Sequence, residues 1–331
     1  MTHTPTTTTA PTPTNAGVIG VGAMGANHAR VYSQLQTVDL VGVSDLDEAL
    51  ADRVAIEYAT QSLPTDQLLD RCDVVTVAVP TAAHEAVVRR CMDAGVHVLV
   101  EKPITERPEP GWELAAAARD RGIVLQVGHV ERFNPAVRTL AALVGDLEVI
   151  AVDAQRLGPP VDRTAIDGVT LDLMIHDVDV VQSVLDAEPK AIGACGTADG
   201  RHATATVEYD DVVATFTASR VTQRKIRRLS VTARECLIEV DYLDQSVMIY
   251  RDSLPVSVED GSTNRIRHES VIERPEVKNR EPLRVEIESF IQAARTGSEP
   301  AVTAADGLRA LETVQEIDRR IDAGGVEVQN R

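Results

Sequence analysis

Lysine is nearly missing from this chain. Four of its 33 basic residues are lysines (Lys102, Lys190, Lys225 and Lys278), and the other 29 are arginines. Acids outnumber bases 51 to 33, for a formal charge of −18. A surface of that sign excludes nucleic acid and anionic membrane as partners. Carboxylates without lysine suit a halophilic setting, where salt screens self-repulsion. Aromatics are scarce too, at 3%, so the cores must come from Val, Leu, Ile and Ala within a hydrophobic total of 44%. No apolar run reaches the roughly eighteen residues of a membrane span. The opening MTHTPTTTTAPTPTN lacks the apolar segment of a signal peptide, so a cytoplasmic location is expected. Its Thr/Pro composition predicts a disordered tail over residues 1–15. Cys72, Cys91, Cys195 and Cys236 form no CxxC pair and no zinc spacing. Quiet reduced thiols and no metal are expected.

Against that background Lys102 stands out. It lies in HVLVEKP (97–103), a short apolar strand ending in an acid, a lysine and a proline. At the carboxyl end of a strand in a parallel α/β sheet, it occupies the edge where ligands bind. The chain has 331 residues, enough for two domains. Strands and helices alternate through the first part. A strand at 16–21 runs into Gly20, Gly22 and Gly25, with Ala23 and Met24 between them. The first glycine permits a tight turn, the second lets a pyrophosphate approach the backbone, and the third lets the following helix pack. That helix, about 24–35, directs its N-terminus at the phosphates. A second strand at 39–44 ends in Asp45, where an acid binds the adenosine ribose hydroxyls and repels a 2′-phosphate. The cofactor expected is therefore NAD. The alternative for Asp45 is the N-cap of a helix over 47–57.

A continuous apolar strand at 73–79 marks a sheet buried on both faces. It ends at Val79-Pro80-Thr81, with His84 one helical turn on. This loop is placed along the nicotinamide ribose, with His84 read either as part of it or as a plain helix-surface histidine. The next strand carries Glu101 and Lys102, and one more, at 123–127, ends in Gly128-His129. The alternation predicts a doubly wound sheet.

Past His129 the sequence changes character. Arg132 and Asn134 follow the last of these strands, and Pro135 suits a helix start. LEVIAVDAQ (147–155) alternates as a strand ending in Arg156, and a loop carrying Arg163 follows. VTLDLMIHDVDVVQSVL (169–185) reads as one helix with an apolar face of Leu173, Val178, Val181 and Leu185. Asp172 and His176 stand at i and i+4, so on a regular helix they share a face. A carboxylate beside an imidazole fixes its tautomer and raises its basicity. Histidine near its ordinary pKa of about 6.5 suits general acid/base work. Asp177 reads as a helix or loop contact. Short alternating strands are predicted at 190–196, 203–208, 212–219, 226–232, 235–241 and 246–250, forming a mostly antiparallel sheet with a hairpin at Asp210-Asp211. The RKIRR run (224–228) reads as a solvated strand edge or interface patch. Residues 251–280 read as polar and irregular. Two helices follow at 281–296 and 303–322, the second with a stripe of Leu308, Leu311, Val314 and Ile317.

GVIGVGAMG with His28 soon after, VPTAAH (79–84), EKP (101–103), GHVERFNP (128–135) and DLMIHD (172–177) together resemble the glucose–fructose oxidoreductase/inositol dehydrogenase (Gfo/Idh/MocA) family. The resemblance spans about residues 16 to 323. It implies an NAD-binding Rossmann domain (16–135) and an α+β domain (136–331) for substrate and oligomerisation. The open sheet of that second domain implies a homodimer or homotetramer, and the last helix packs back on the first domain or on the sheet. Lys102, His176 and Asp172 become the catalytic set. Val79, Pro80, Thr81, His84, Glu101, Lys102 and His129 join the glycines, Ala23, Met24 and Asp45 at the cofactor. Arg132, Asn134, Arg156 and Arg163 join the catalytic set at the substrate. A cis Lys102-Pro103 bond is implied as well. Within the family, the stretches 20–35 and 127–137 look closest to an archaeal branch that oxidises the 3-hydroxyl of UDP-N-acetylglucosamine. Arginines near the site suit such a diphosphate. The alternatives are a dehydrogenase of a free polyol or sugar and a non-catalytic NAD/sugar sensor.

Overall fold

Val74, Val75, Val77, Val98 and Val100 are all fully buried, as strands covered on both faces require. They form the centre of a five-stranded parallel sheet. The computed structural model describes residues 12–160, 168–252, 256–260, 263–267 and 270–324. It divides into two units: one runs to Gly128 and takes in Glu286–Ala304, the other holds His129–Val285 and the chain from Ala305.

The first unit alternates β1 (Thr14–Ile19), α1 (Ala23–Ser33), β2 (Val38–Ser44), α2 (Glu48–Glu57), α3 (Thr65–Leu69), β3 (Val74–Val77), α4 (His84–Asp93), β4 (His97–Glu101), α5 (Pro108–Arg121) and β5 (Leu125–Gly128). The sheet order is β2-β1-β3-β4-β5. β1 pairs β2 on one side and β3 on the other, both parallel. Chain order therefore reverses beside β1, and the loops after β1 and β3 part to leave a crevice at their carboxyl ends. Thr14 and Asn15, counted with the tail in the sequence, belong to β1. The Thr14 N–H donates to Thr37 O at 3.0 Å, and Asn15 N–H donates to Asp73 Oδ2 at 2.8 Å. The rest of the expected tail, residues 1–11, lies outside the described residues.

The second unit begins with α6 (Pro135–Val144), β6 (Val149–Leu157) and α7 (Ile175–Leu185). Then come β7 (Pro189–Gly196), β8 (His202–Tyr209), β9 (Val212–Ser219), β10 (Ile226–Ala233), β11 (Leu237–Asp241) and β12 (Ser246–Asp252). β13 (Val256–Asp260), β14 (Thr263–Arg267) and β15 (Ser270–Glu273) follow, and α8 (Pro282–Thr296) and α9 (Ala304–Asp322) close the chain. Eight strands form one sheet in the order β15-β12-β11-β10-β6-β9-β8-β7, while β13 and β14 make a separate hairpin. β6 and β9 run parallel and the other neighbours antiparallel. Period-two patterning builds it: Ala203, Ala205, Val207 and Tyr209 of β8 all turn inward. Asp210 takes positive φ (50°) in the turn to β9. The predicted stripe of α9, Leu308, Leu311, Val314 and Ile317, is fully buried.

Two expectations change. The stretch from 251 holds β13, β14 and β15 instead of irregular chain. Strands of four or five residues rich in polar side chains are paired by register, which hydrophobic pattern does not show. RKIRR is not at a sheet edge, because β10 lies between β11 and β6. Among the described residues no helix is long and apolar enough to cross a membrane, and all four cysteines are free.

Candidate active site

The glycine turn shows three different needs. Gly20 has φ 83°, and a Cβ there would lie 2.7 Å from the Ala78 carbonyl and Val79 N. A Cβ at Gly25 would lie 1.8 Å from Gly20 O. Both positions are closed to any side chain. A Cβ at Gly22, by contrast, would meet nothing within 4 Å. Gly22 is the N-cap of α1 and brings no side chain to its first N–H groups. Open space at an uncapped helix start, with Ala23 and Met24 exposed beside it, fits a pyrophosphate.

Asp45 closes this cradle. Its Oδ2 accepts from Val21 N–H at 2.7 Å and its Oδ1 from Asp47 N–H at 2.9 Å. The cap of α2 is Asp47, whose side chain accepts from Leu50 N–H at 3.0 Å. The alternative cap role thus falls to the neighbour. Each Asp45 oxygen keeps a second lone pair for a ribose hydroxyl. Asp45→Ser should shrink the preference for NAD over NADP by at least about tenfold, or ~1.4 kcal/mol. The ratio of kcat/KM values for the two cofactors measures it, and an unchanged ratio would reduce Asp45 to a tether of the turn.

Lys102 follows at the end of β4, half-buried, with a cis bond to Pro103. Glu101 Oε1 lies 2.9 Å from His28 Nε2. His84 is not a surface residue. It is 1% exposed, with Nδ1 2.9 Å from Pro103 O and Nε2 2.9 Å from Val79 O. It therefore packs between the Val79-Pro80-Thr81 loop and the Glu101-Lys102-Pro103 turn, and a neutral ring donates to one of the two carbonyls. Burial pulls its pKa below the ordinary 6.5, against the pull of the two carbonyls. Burial acts the same way on His97. The unfolded chain then binds these protons near pH 6.5 while the fold resists them. Stability is full above that pH and falls on acidification, by up to ~1.4 kcal/mol per pH unit for each histidine. Urea midpoints of the wild type should fall between pH 7.5 and 5.5, and those of His84→Gln should fall less. Equal slopes would refute the assignment.

In the second unit, charged side chains are buried in pairs. Arg156 of β6 donates from Nε and Nη2 to Asp177 of α7 at 2.9 and 2.8 Å, and from Nη1 to Glu131 at 2.8 Å. Its guanidinium stacks 5.2 Å from the Tyr242 ring centre. Arg132 donates in the same two-pronged way to Asp179, at 2.9 and 2.8 Å. Burial opposes the charge on Arg156, but Asp177 and Glu131 outweigh it and hold its pKa well above the ordinary value. Both arginines, expected on a diphosphate, thus turn their two-pronged faces to carboxylates of α7. Asn134 likewise caps α6, accepting from Ala136 N–H at 3.1 Å, and donates to Tyr242 O at 3.1 Å. Arg163 lies outside the described residues. Arg227, read as solvated, is half-buried and donates to Leu157 O at 2.9 Å. Burial, and then the charge of Arg156, pushes its pKa down to about 10.

The predicted catalytic pair sits where a π-turn (Thr170–Met174) enters α7, so the simple i, i+4 geometry does not carry over. Asp172 makes an ion pair with Arg220, a residue the sequence reading did not single out. His176 meets His129 edge to face, ring centres 6.3 Å apart at 83°. His129 Nδ1 in turn lies 3.8 Å from Asp179 Oδ2. Asp179, Glu131 and Tyr242 were also missed. One signal was available: two acids, Asp177 and Asp179, inside an otherwise apolar helical run imply buried partners.

Residues 14–129 match the model of an oxidoreductase family with an NAD-binding Rossmann fold, and residues 143–239 match that family's C-terminal domain. A UDP-N-acetylglucosamine 3-dehydrogenase from Acidithiobacillus ferrooxidans is 33% identical over 93% of this chain and 97% of its own. Its relevance is bacterial, where an archaeal branch was expected. The solved structure of UDP-N-acetylglucosamine 3-dehydrogenase GnnA from the same organism superposes with a TM-score of 0.83 at 32% identity, covering 94% of this chain and 98% of that one. An inositol 2-dehydrogenase from Rhizobium meliloti is 29% identical over 89% of this chain and 93% of its own. With its glycine turn, Asp45 after the second strand and a Glu-Lys-Pro strand end, the chain belongs to the glucose–fructose oxidoreductase/inositol dehydrogenase (Gfo/Idh/MocA) family of NAD-binding oxidoreductases.

Proposed function

We propose that this protein is an NAD-dependent dehydrogenase that oxidises the 3-hydroxyl of UDP-N-acetylglucosamine. The observation that carries the reading is similarity over nearly the full length to a 3-dehydrogenase of that nucleotide sugar, 33% identical across 97% of the relative. NAD, held by the glycine turn and Asp45, supplies the hydride acceptor. His176 takes the hydroxyl proton, and Asp172, in the π-turn that leads into α7, adds negative charge near the start of that helix. The Lys102 ammonium holds and polarises the substrate oxygen, which becomes the carbonyl of a 3-keto sugar as NADH and a proton are released.

The diphosphate needs cationic partners. Arg227 supports that part of the reading: a half-buried guanidinium whose charge is disfavoured by burial and then by Arg156 gains from an incoming anion. The inositol 2-dehydrogenase relative supports a second reading, oxidation of a free polyol. The acid-rich, lysine-poor composition supports a working medium of concentrated salt. Exposed Ile150 and Val213, on neighbouring strands β6 and β9, support self-association through the large sheet. NADH formation over a panel of UDP-sugars and free polyols tests the assignment. Turnover of UDP-N-acetylglucosamine is expected. Turnover of free polyols alone would replace it with the second reading, and NAD binding without any turnover would point to a sensor.

A further inference from the structure

Beneath the Glu101-Lys102-Pro103 turn, buried polar side chains form one line. Glu101 Oε1 lies 2.9 Å from His28 Nε2. His28 Nδ1 lies 3.3 Å from Thr76 Oγ1. Thr76 Oγ1 lies 2.9 Å from Tyr32 Oη. The line crosses from β4 through α1 to β3 and back to α1, all within the first unit. His28, Thr76 and Tyr32 are each 0% exposed. On its far side the carboxylate occupies the space a side chain at Gly128 would need: a Cβ there would meet Glu101 Cδ and Oε2 at 3.2 Å.

Burial pushes the Tyr32 hydroxyl pKa up, so Tyr32 keeps its proton. Tyr32, Thr76 and His28 thus stand in hydrogen-bond contact one after the other, and His28 meets Glu101 through Nε2. Burial alone would raise the Glu101 pKa. The hydrogen bond and charge of His28, and after them the charge and backbone N–H of Lys102, overcome it and hold the group below the ordinary carboxylate range. Four polar groups in an apolar interior cost desolvation that leucines would avoid. Neither the glycine turn nor the proposed proton transfer uses them. What they hold in place is the acid covalently next to Lys102.

We propose that His28 is a positioning residue for Lys102: backed by Thr76 and Tyr32, it fixes the Glu101 anion at the foot of the lysine and so sets the orientation and protonation of the ammonium. The inference rests on the reading of Lys102 as the group that holds the substrate oxygen. Gly128 belongs to the same device, because a side chain there would push the carboxylate off its seat.

The four lysines of the chain make a direct test possible. Carbon-13 labelling at lysine Cε gives four signals, and the one lost in Lys102→Met belongs to Lys102. In NAD-loaded His28→Leu, the Lys102 titration midpoint should move down by about half a unit or more, because its neighbouring anion is weakened. Turnover of UDP-N-acetylglucosamine should fall about tenfold or more, with its pH profile displaced the same way and KM for NAD unchanged. His28→Gln, whose amide still donates to Glu101, should recover most of both effects. Tyr32→Phe should shift both slightly in the same direction. A folded His28→Leu with unchanged Lys102 titration and pH profile overturns the proposal, as does a His28→Gln no better than the leucine variant. Should His28→Leu fail to fold, unchanged midpoints in both Tyr32→Phe and Gly128→Ala overturn it equally. If the wild type oxidises no sugar at all, the functional reading fails, and the titration still decides the role of His28.

Discussion

Asp177→Ala should lower the free energy of unfolding by about 3–5 kcal/mol, the usual cost of stripping one partner from a buried ion pair. Arg156 and Asp177 are 4% and 2% exposed. Two hydrogen bonds at 2.9 and 2.8 Å join them. Without the carboxylate, the guanidinium keeps Glu131 and the Tyr242 ring, yet it loses the partner that faces both its prongs. The cost is the uncompensated charge, and the worth of the intact pair is a different quantity. Asp177→Leu combined with Arg156→Met removes both charges and should cost well under half as much as the single change. Denaturant unfolding of the singles and the double, scored on the transition reported by second-unit signals, supplies the cycle. A single-variant loss below about 1 kcal/mol would mean that water or side-chain rearrangement already serves Arg156. The pair bears on function because α7 begins at Ile175, immediately ahead of His176. With Asp179 anchored to Arg132 as well, two buried acids of the helix are tied to arginines, which fixes how α7 is seated in its unit.

Lys102→Met and His176→Ala should each retain NAD binding and lose at least ~10²-fold in kcat, or about 2.7 kcal/mol of transition-state stabilisation. Methionine keeps the length and apolar stem of lysine and removes the ammonium, so the loss isolates the charge on the substrate oxygen. Alanine at 176 removes the proton acceptor, and rescue by added imidazole would identify its role. Dinucleotide affinity should hold in both, since neither residue belongs to the glycine turn after β1 or to the acid that follows β2. Steady-state kinetics with cofactor titration measures both quantities. Near-normal turnover in the two variants would remove the proton-transfer scheme, and collapse of NAD affinity alongside turnover would point to structural damage.

Sequence alone determined the first-unit architecture, the glycine turn, Asp45, and the strand end that bears Lys102. These are local or periodic features: a turn that only glycine permits, apolar runs buried on both faces, and acids at fixed spacing from both. The alternation of β8 and the stripe of α9 were legible for the same reason. Tertiary structure alone decided who meets whom among the polar groups. Arg132 and Arg156 looked like candidates for a diphosphate because nothing in their own segments showed Asp179 and Asp177 turned toward them. His84 looked exposed because the Pro103 carbonyl that receives it is nineteen residues away in the chain. His28 and Glu101 are separated by 73 residues, and Thr76 reaches His28 across 48. The π-turn before α7 has no periodic signature. Hydrophobic pattern fixes which face of an element turns inward, because burial is non-directional and sums along the chain. A hydrogen bond or ion pair is directional and joins two particular atoms, so its partners become known only when the elements have packed.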